Sequence, residues 1–95
     1  MYSNEHTLQD LLKKAYHRLD MDDTAQEMEV THVYGVVVGD FINRLTVKVR
    51  YAQGVLTVQL ASAALKQELM YRRTSLAEKI NETLGRPAVK KIVFV

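Results

Sequence analysis

Between Leu56 and Leu60 the apolar residues recur at every second position, Leu56, Val58 and Leu60, with Thr57 and Gln59 between them. That period belongs to a half-buried strand. At Ser62 the period changes. Leu65 and Leu69 stand four apart, and Lys66, Gln67 and Glu68 fill the outer face of an amphipathic helix. Ser62 sits at the switch, where its hydroxyl accepts from a free N–H of the first helical turn. A strand feeding directly into a helix is the junction around which the other elements are placed.

Residues 1–6 carry no pattern and read as frayed. Thr7 opens a helix, with Asp10 completing a capping box and Leu8, Leu11, Leu12, Ala15 and Leu19 forming its apolar stripe. A second helix starts at an Asp22 or Asp23 cap and runs to about Val38, with an inner face of Met28, Val30 or Val33, Tyr34, Val37 and Val38. Gly39 ends it in the left-handed conformation, and a short turn from Asp40 to Leu45 buries Phe41 and Ile42. Thr46 to Tyr51 then alternates, with Val47, Val49 and Tyr51 inward and Thr46, Lys48 and Arg50 outward. The tight link Ala52-Gln53-Gly54 joins this run to Val55–Leu60 as a β-hairpin.

The helical region after Ser62 divides in two. Continuing the Leu65/Leu69 face would carry Arg72 or Arg73 into the core. Ser75 with Glu78 instead offers a second capping box, and Leu76, Ile80 and Leu84 restart an i, i+4, i+8 stripe. The spacing predicts helices over about 63–72 and 76–84, bent at Arg73-Thr74. Gly85 closes the second, and Arg86-Pro87 forbids its continuation. Val89 to Val95 is the last strand, with Ile92 and Phe94 on one face and Lys91, Val93 and Val95 on the other.

The order is α-α-β-β-α-α-β. The hairpin is antiparallel, and the paired helices form the crossover that returns the last strand parallel to the second. The expected fold is α+β, a three-stranded mixed sheet covered on one face by helices, in one domain over residues 1–95. The open face shows Lys48, Arg50, Thr57, Gln59 and Lys91 among Val55, Val93 and Val95.

Composition narrows the function classes. The chain is 47% hydrophobic and 25% charged, with no cysteine, so it carries no disulfide framework and no thiolate metal site. No apolar run reaches the ~18 residues of a membrane span. The N-terminus lacks the basic-then-apolar pattern of a signal peptide, so the expected compartment is the cytoplasm. The net charge of +2 hides a split: residues 1–40 sum to −5 and residues 41–95 to +7. Either the basic half forms a polyanion footprint or the two halves attract each other within the fold.

Catalytic chemistry finds no support. His6, His17 and His32 are scattered, no Gly-x-Ser-x-Gly elbow surrounds Ser62, and no Gly-rich loop with Lys-Ser/Thr is present. Asp20, Asp22 and Asp23 lack the glycine and glutamate of a calcium loop and read as helix caps. The expectation is a non-enzyme with no metal and no cofactor. The candidate nucleic-acid-binding residues are Lys48, Arg50, Arg72, Arg73 and Lys91. Arg72-Arg73 reads either as a phosphate-holding pair or as a solvated bend, and Tyr71 beside it either as a stacking ring or as rim packing.

Several stretches taken together resemble the DciA family of bacterial replicative-helicase operators. They are Val30-x-x-x-Tyr34-x-x-Val37-Val38-Gly39, where the family usually has Trp at the aromatic position, Leu45-Thr46, and Gly54-Val55-Leu56-x-Val58. Ser62-x-x-Leu65-x-x-Glu68-Leu69, Leu76-x-x-x-Ile80-Asn81-x-x-Leu84-Gly85 and Val89-x-x-Ile92-x-Phe94 complete the set, and Leu8 to Leu12 with Leu19-Asp20 fall at the family's first helix and turn. The family often has Arg after the phenylalanine, and here Val95 stands there. The resemblance implies a type II K-homology-like domain that binds the replicative DNA helicase and DNA. K-homology domains clamp nucleic acid with a Gly-x-x-Gly loop between the paired helices, where this chain has Tyr71-Arg72-Arg73-Thr74. The expected function is therefore a non-catalytic replication accessory protein that promotes helicase loading. The alternatives are a generic K-homology-like RNA or single-strand binder and a protein-interaction or self-association module that uses the open sheet face.

Overall fold

The computed structural model describes residues 22–95. The helix expected from Thr7 and the frayed start before it lie outside these residues. In chain order the elements are α1 (Asp22–Val38), α2 (Asp40–Arg44), β1 (Thr46–Ala52), β2 (Val55–Leu60), α3 (Ala63–Tyr71), α4 (Arg73–Leu84) and β3 (Lys91–Phe94). The Ser62 junction is built as its pattern requires. Ser62 is extended, and its Oγ accepts from the Leu65 N–H at 3.1 Å, capping α3 directly after β2.

The sheet order is β1-β2-β3, with β1 antiparallel and β3 parallel to the central β2. This is the expected mixed sheet. The hairpin turns on Gln53 and Gly54, whose φ angles of 51° and 85° are both positive, as a type I′ turn demands. Space at Gly54 is also tight, since a Cβ there would stand 3.0 Å from the Lys90 Cδ and the lysine side chain would have to give way. The Gly54 carbonyl accepts from the N–H groups of Lys90 and Lys91, so the turn also holds the start of β3.

The core lies between the sheet and the helices. Val30, Val33 and Tyr34 come from α1, Leu56 and Val58 from β2, Leu69 from α3 and Ile80 from α4. Val89, Ile92 and Phe94 complete it from the last strand and its approach. Burying each large side chain contributes about 1.5–3 kcal/mol, so α1, α3 and α4 are each anchored by at least one such residue. Asn81 ties α4 to the β3 approach. Its Nδ2 donates to the Val89 carbonyl at 2.9 Å, and the Val89 N–H donates to its Oδ1 at 2.8 Å.

Several local expectations are corrected. Val47 is exposed rather than inward, because the register shifts between Thr46 and Lys48 and a bulge displaces it. Thr46 takes the inward position. Its hydroxyl donates to the Ile42 carbonyl at 2.9 Å and accepts from the buried Tyr34 hydroxyl at 2.9 Å. Burial pushes the Tyr34 hydroxyl pKa up, and the bond to Thr46 lowers it in part. Met28 and Phe41 are exposed, since Val30, Val33 and Tyr34 define the inner face of α1 and only Ile42 of α2 packs on the core. Gly39 has φ 89° and ψ 169°, a region open essentially to glycine but not the left-handed helical one.

The paired helices also divide differently. α3 stops at Tyr71, and α4 begins at Arg73 without a side-chain cap. Ser75 lies inside α4, so no second capping box forms. The break is at Arg72 itself, whose φ of −107° and ψ of 11° leave the helical region. Gly85 ends α4 in the left-handed conformation, with the Arg86 N–H returning to the Asn81 carbonyl at 3.2 Å.

Candidate nucleic-acid interface

Parallel pairing makes alternate residues of β3 bond to β2. Lys91 and Val95 do so, through Lys91 N–H to the Gly54 carbonyl and Val95 N–H to the Val58 carbonyl at 2.9 Å. The same alternation turns the N–H and C=O of Ile92 and Phe94 away from β2, towards an edge that no other described strand covers. Between that edge and α4 runs a cleft of about 650 Å³. One wall is a strip of α4, with Arg73, Thr74, Ala77, Glu78 and Asn81, and Met70 closes the end nearest α3. Residues 89–94 form the other wall, so Ile92 and Phe94 meet the cleft along their unpaired edge.

The five candidate residues are not gathered in one place. Arg73 and Lys91 line the cleft, and Lys90 lines it with them. None of these three takes part in an ion pair among the described residues. Arg72 is exposed and held by Glu68 at 2.7 Å, one helical turn back. Lys48 and Arg50 sit on β1, opposite Gln59 and Thr57. Thr57 in turn faces Val93, so Arg50 stands two strand spacings, about 10 Å, from β3. Lys91 alone of the five belongs to both the open sheet face and the cleft. Its row runs Ala52, Val55, Lys91 across the three strands.

Arg50 is also partly neutralised. Its guanidinium lies 3.7 Å from Glu27 on α1, and the same carboxylate accepts from the Tyr51 N–H at 3.2 Å. Arg86 pairs with Glu29 at 2.7 Å. Both pairs join the acidic half of the chain to the basic half, so attraction within the fold accounts for part of the charge split. Lys90 escaped the sequence reading, and Asn81 entered it only within the Leu76-to-Gly85 stretch that carries the family resemblance, with no role. The Lys90-Lys91 doublet just before a strand was the available signal for the first. No spacing rule reveals the second, because its partner is a backbone eight residues away.

Tyr71 is 82% exposed, so it does not pack at a rim. Tyr34 and Tyr51 are inward, with hydroxyls bonded to Thr46 and to the Ala88 carbonyl. His32 is exposed, and no group of three or more His, Cys, Asp or Glu among the described residues is placed to hold a metal ion. No described helix is long and apolar enough to cross a membrane.

Fold and cleft define a small α+β module that presents cations at one sheet edge. The family model described as Dna[CI] antecedent, DciA, matches residues 5–94, nearly the whole chain, and the chain belongs to the DciA family. No curated protein and no solved structure gives a significant match. Membership implies a non-catalytic role in DNA replication as a loader or operator of the replicative helicase, and interaction with that helicase, DnaB.

Proposed function

We propose that the chain promotes helicase loading by holding the replicative helicase and nucleic acid at the same time, with the nucleic acid in the α4–β3 cleft. The observation that carries this reading is the set of unpaired cations Arg73, Lys90 and Lys91 around that cleft. Phosphates would be met by these three side chains, with Arg72 beside them and Lys48 and Arg50 further off on the sheet face. The cleft walls carry the accessible apolar residues Met70, Ala77 and Val93 between the charges, which suits bases rather than a uniformly charged rod. Hydrogen-bonding groups of the β3 edge face the same space.

Each single-strand phosphate neutralised contributes about −0.7 to the slope of log affinity against log salt. Replacing Arg73, Lys90 and Lys91 with Ala is therefore expected to flatten that slope by about 2, measured by anisotropy of a labelled oligonucleotide across a salt series. Co-purification with the helicase should survive the triple change. An unaltered affinity and slope would remove the cleft from the function.

A second reading has its own observation. The bulge turns Val47 out on β1, and Val95 is exposed at the end of β3, two residues after the half-buried Val93. These exposed valines on the two outer strands favour self-association through the sheet. Such a contact responds weakly to salt, so sedimentation at low and high salt separates it from the first reading.

A further inference from the structure

We propose that Tyr71 is a stacking platform for an unpaired nucleobase, with Arg73 taking the adjoining phosphate; this rests on the nucleic-acid reading of the cleft and names how its mouth grips the strand. Tyr71 is the last residue of α3, and Arg73 is the first of α4. Between them the chain bends at Arg72, which Glu68 holds back against α3 at 2.7 Å. Arg73 is left without an ion pair and lines the cleft. Met70, which precedes Tyr71 in α3, lines that end of the cleft and is itself exposed.

The ring itself serves no packing purpose. Tyr71 is 82% exposed, and its one hydrogen bond is a long one, from Gln67 at 3.4 Å across a helical turn on the surface. An aromatic ring held in water two residues before a guanidinium that has no ion pair brings two things to one bend of the chain: a flat apolar face and a phosphate donor. Every base has a π-face, so stacking on such a ring is tolerant of sequence. A base inside a duplex already stacks on both sides, so the ligand is a single strand. The bend residues Tyr71-Arg72-Arg73-Thr74 contain no glycine for close backbone approach, and side chains supply the grip instead.

The chain contains no tryptophan, so Tyr71→Trp places a single reporter at the proposed platform. Titrate the full-length variant with a short oligo-dT and with an abasic oligonucleotide of equal length. The oligo-dT is expected to quench the fluorescence, and the abasic strand is not. In parallel, Tyr71→Ala should weaken oligo-dT binding roughly 5- to 150-fold, the worth of one stacked base, without changing the salt slope. Arg73→Ala should lower both the affinity and the slope, by about 0.7. Tyr71→Phe should bind as the parent does. All four variants should melt at the parent temperature, since both positions are exposed. If the parent binds oligo-dT with a steep salt slope while Tyr71→Ala matches it and the reporter is not quenched, the platform is overturned and the cleft stands. If the parent does not bind oligo-dT at low salt, the cleft reading and the platform fall together.

Discussion

At the β1 edge of the sheet, Glu27 accepts from the Tyr51 N–H and stands 3.7 Å from the Arg50 guanidinium. At the β3 edge, Arg73, Lys90 and Lys91 surround a cleft in which Glu78 is the one acidic lining residue. The same basic half of the chain supplies both sets of cations. What separates them is α1, whose Glu27 reaches the β1 edge while its Glu29 pairs with Arg86 and leaves the cleft cations without an ion pair. An exposed sheet edge is a template for unwanted pairing, and a carboxylate on a strand N–H is one way to blunt it. The β3 edge has no such cover among the described residues. A charge split in sequence therefore resolves into one edge where Glu27 partly offsets Arg50 and one edge whose cations have no ion pair among the described residues.

The most severe test removes what the two edges share. Leu56 is fully buried in the central strand, opposite Tyr51 on β1 and Ile92 on β3. Leu56→Ala is expected to cost about 2–5 kcal/mol, the range for large-to-small changes in a packed core. Chemical denaturation checks it. A loss below about 1 kcal/mol would mean that the edges do not depend on a common core.

A smaller change strikes one edge alone. Asn81→Ala leaves the Val89 N–H and carbonyl without their side-chain partner, in a residue that is 3% exposed. Stranding such groups costs about 1–3 kcal/mol. Because the clamp holds only the approach to β3, amide exchange should quicken in β3 before it does in β1. Equal loss of protection at both edges would break the comparison, since it would make the clamp a support of the whole fold.

How much of this was legible in sequence differs between the edges for a physical reason. The Leu56-Val58-Leu60 alternation and the Ser62 switch located β2 and α3, because strand and helix periods are local properties. Ile92 and Phe94 were placed inward by the same logic, and the structure agrees. Val47 was misplaced because a bulge inserts one residue and reverses the alternation before it, and only the partner strand reveals the insertion. Ser75 and Glu78 had the right spacing for a cap, yet α4 starts earlier, at Arg73. Among the candidate cations, Arg73 and Lys91 were legible as charges on outward positions. That Arg50 would meet Glu27 was not, since that pair depends on α1 folding against β1, whereas Glu68 and Arg72 stand at the local i, i+4 spacing.

The finest test reverses the neutralisation of the β1 edge. Glu27→Gln removes the charge opposite Arg50 but keeps an amide oxygen able to accept from the Tyr51 N–H. Stability should change by less than about 1 kcal/mol, because the Arg50 side chain is 64% exposed and exposed pairs are worth little. The freed cation stands two strand spacings from β3, about 10 Å. Across that distance in water a unit charge interacts with a phosphate by about 0.4 kcal/mol, and salt at about 0.1 M cuts this to roughly a third. If nucleic acid lies in the α4–β3 cleft, its affinity for Glu27→Gln should rise by less than a factor of about 1.5. If it crosses the open sheet face instead, Lys48 and Arg50 become direct phosphate contacts, and the freed guanidinium should raise both affinity and salt slope, the latter by about 0.7. Oligonucleotide anisotropy with the parent and Glu27→Gln across a salt series therefore decides which path the strand takes.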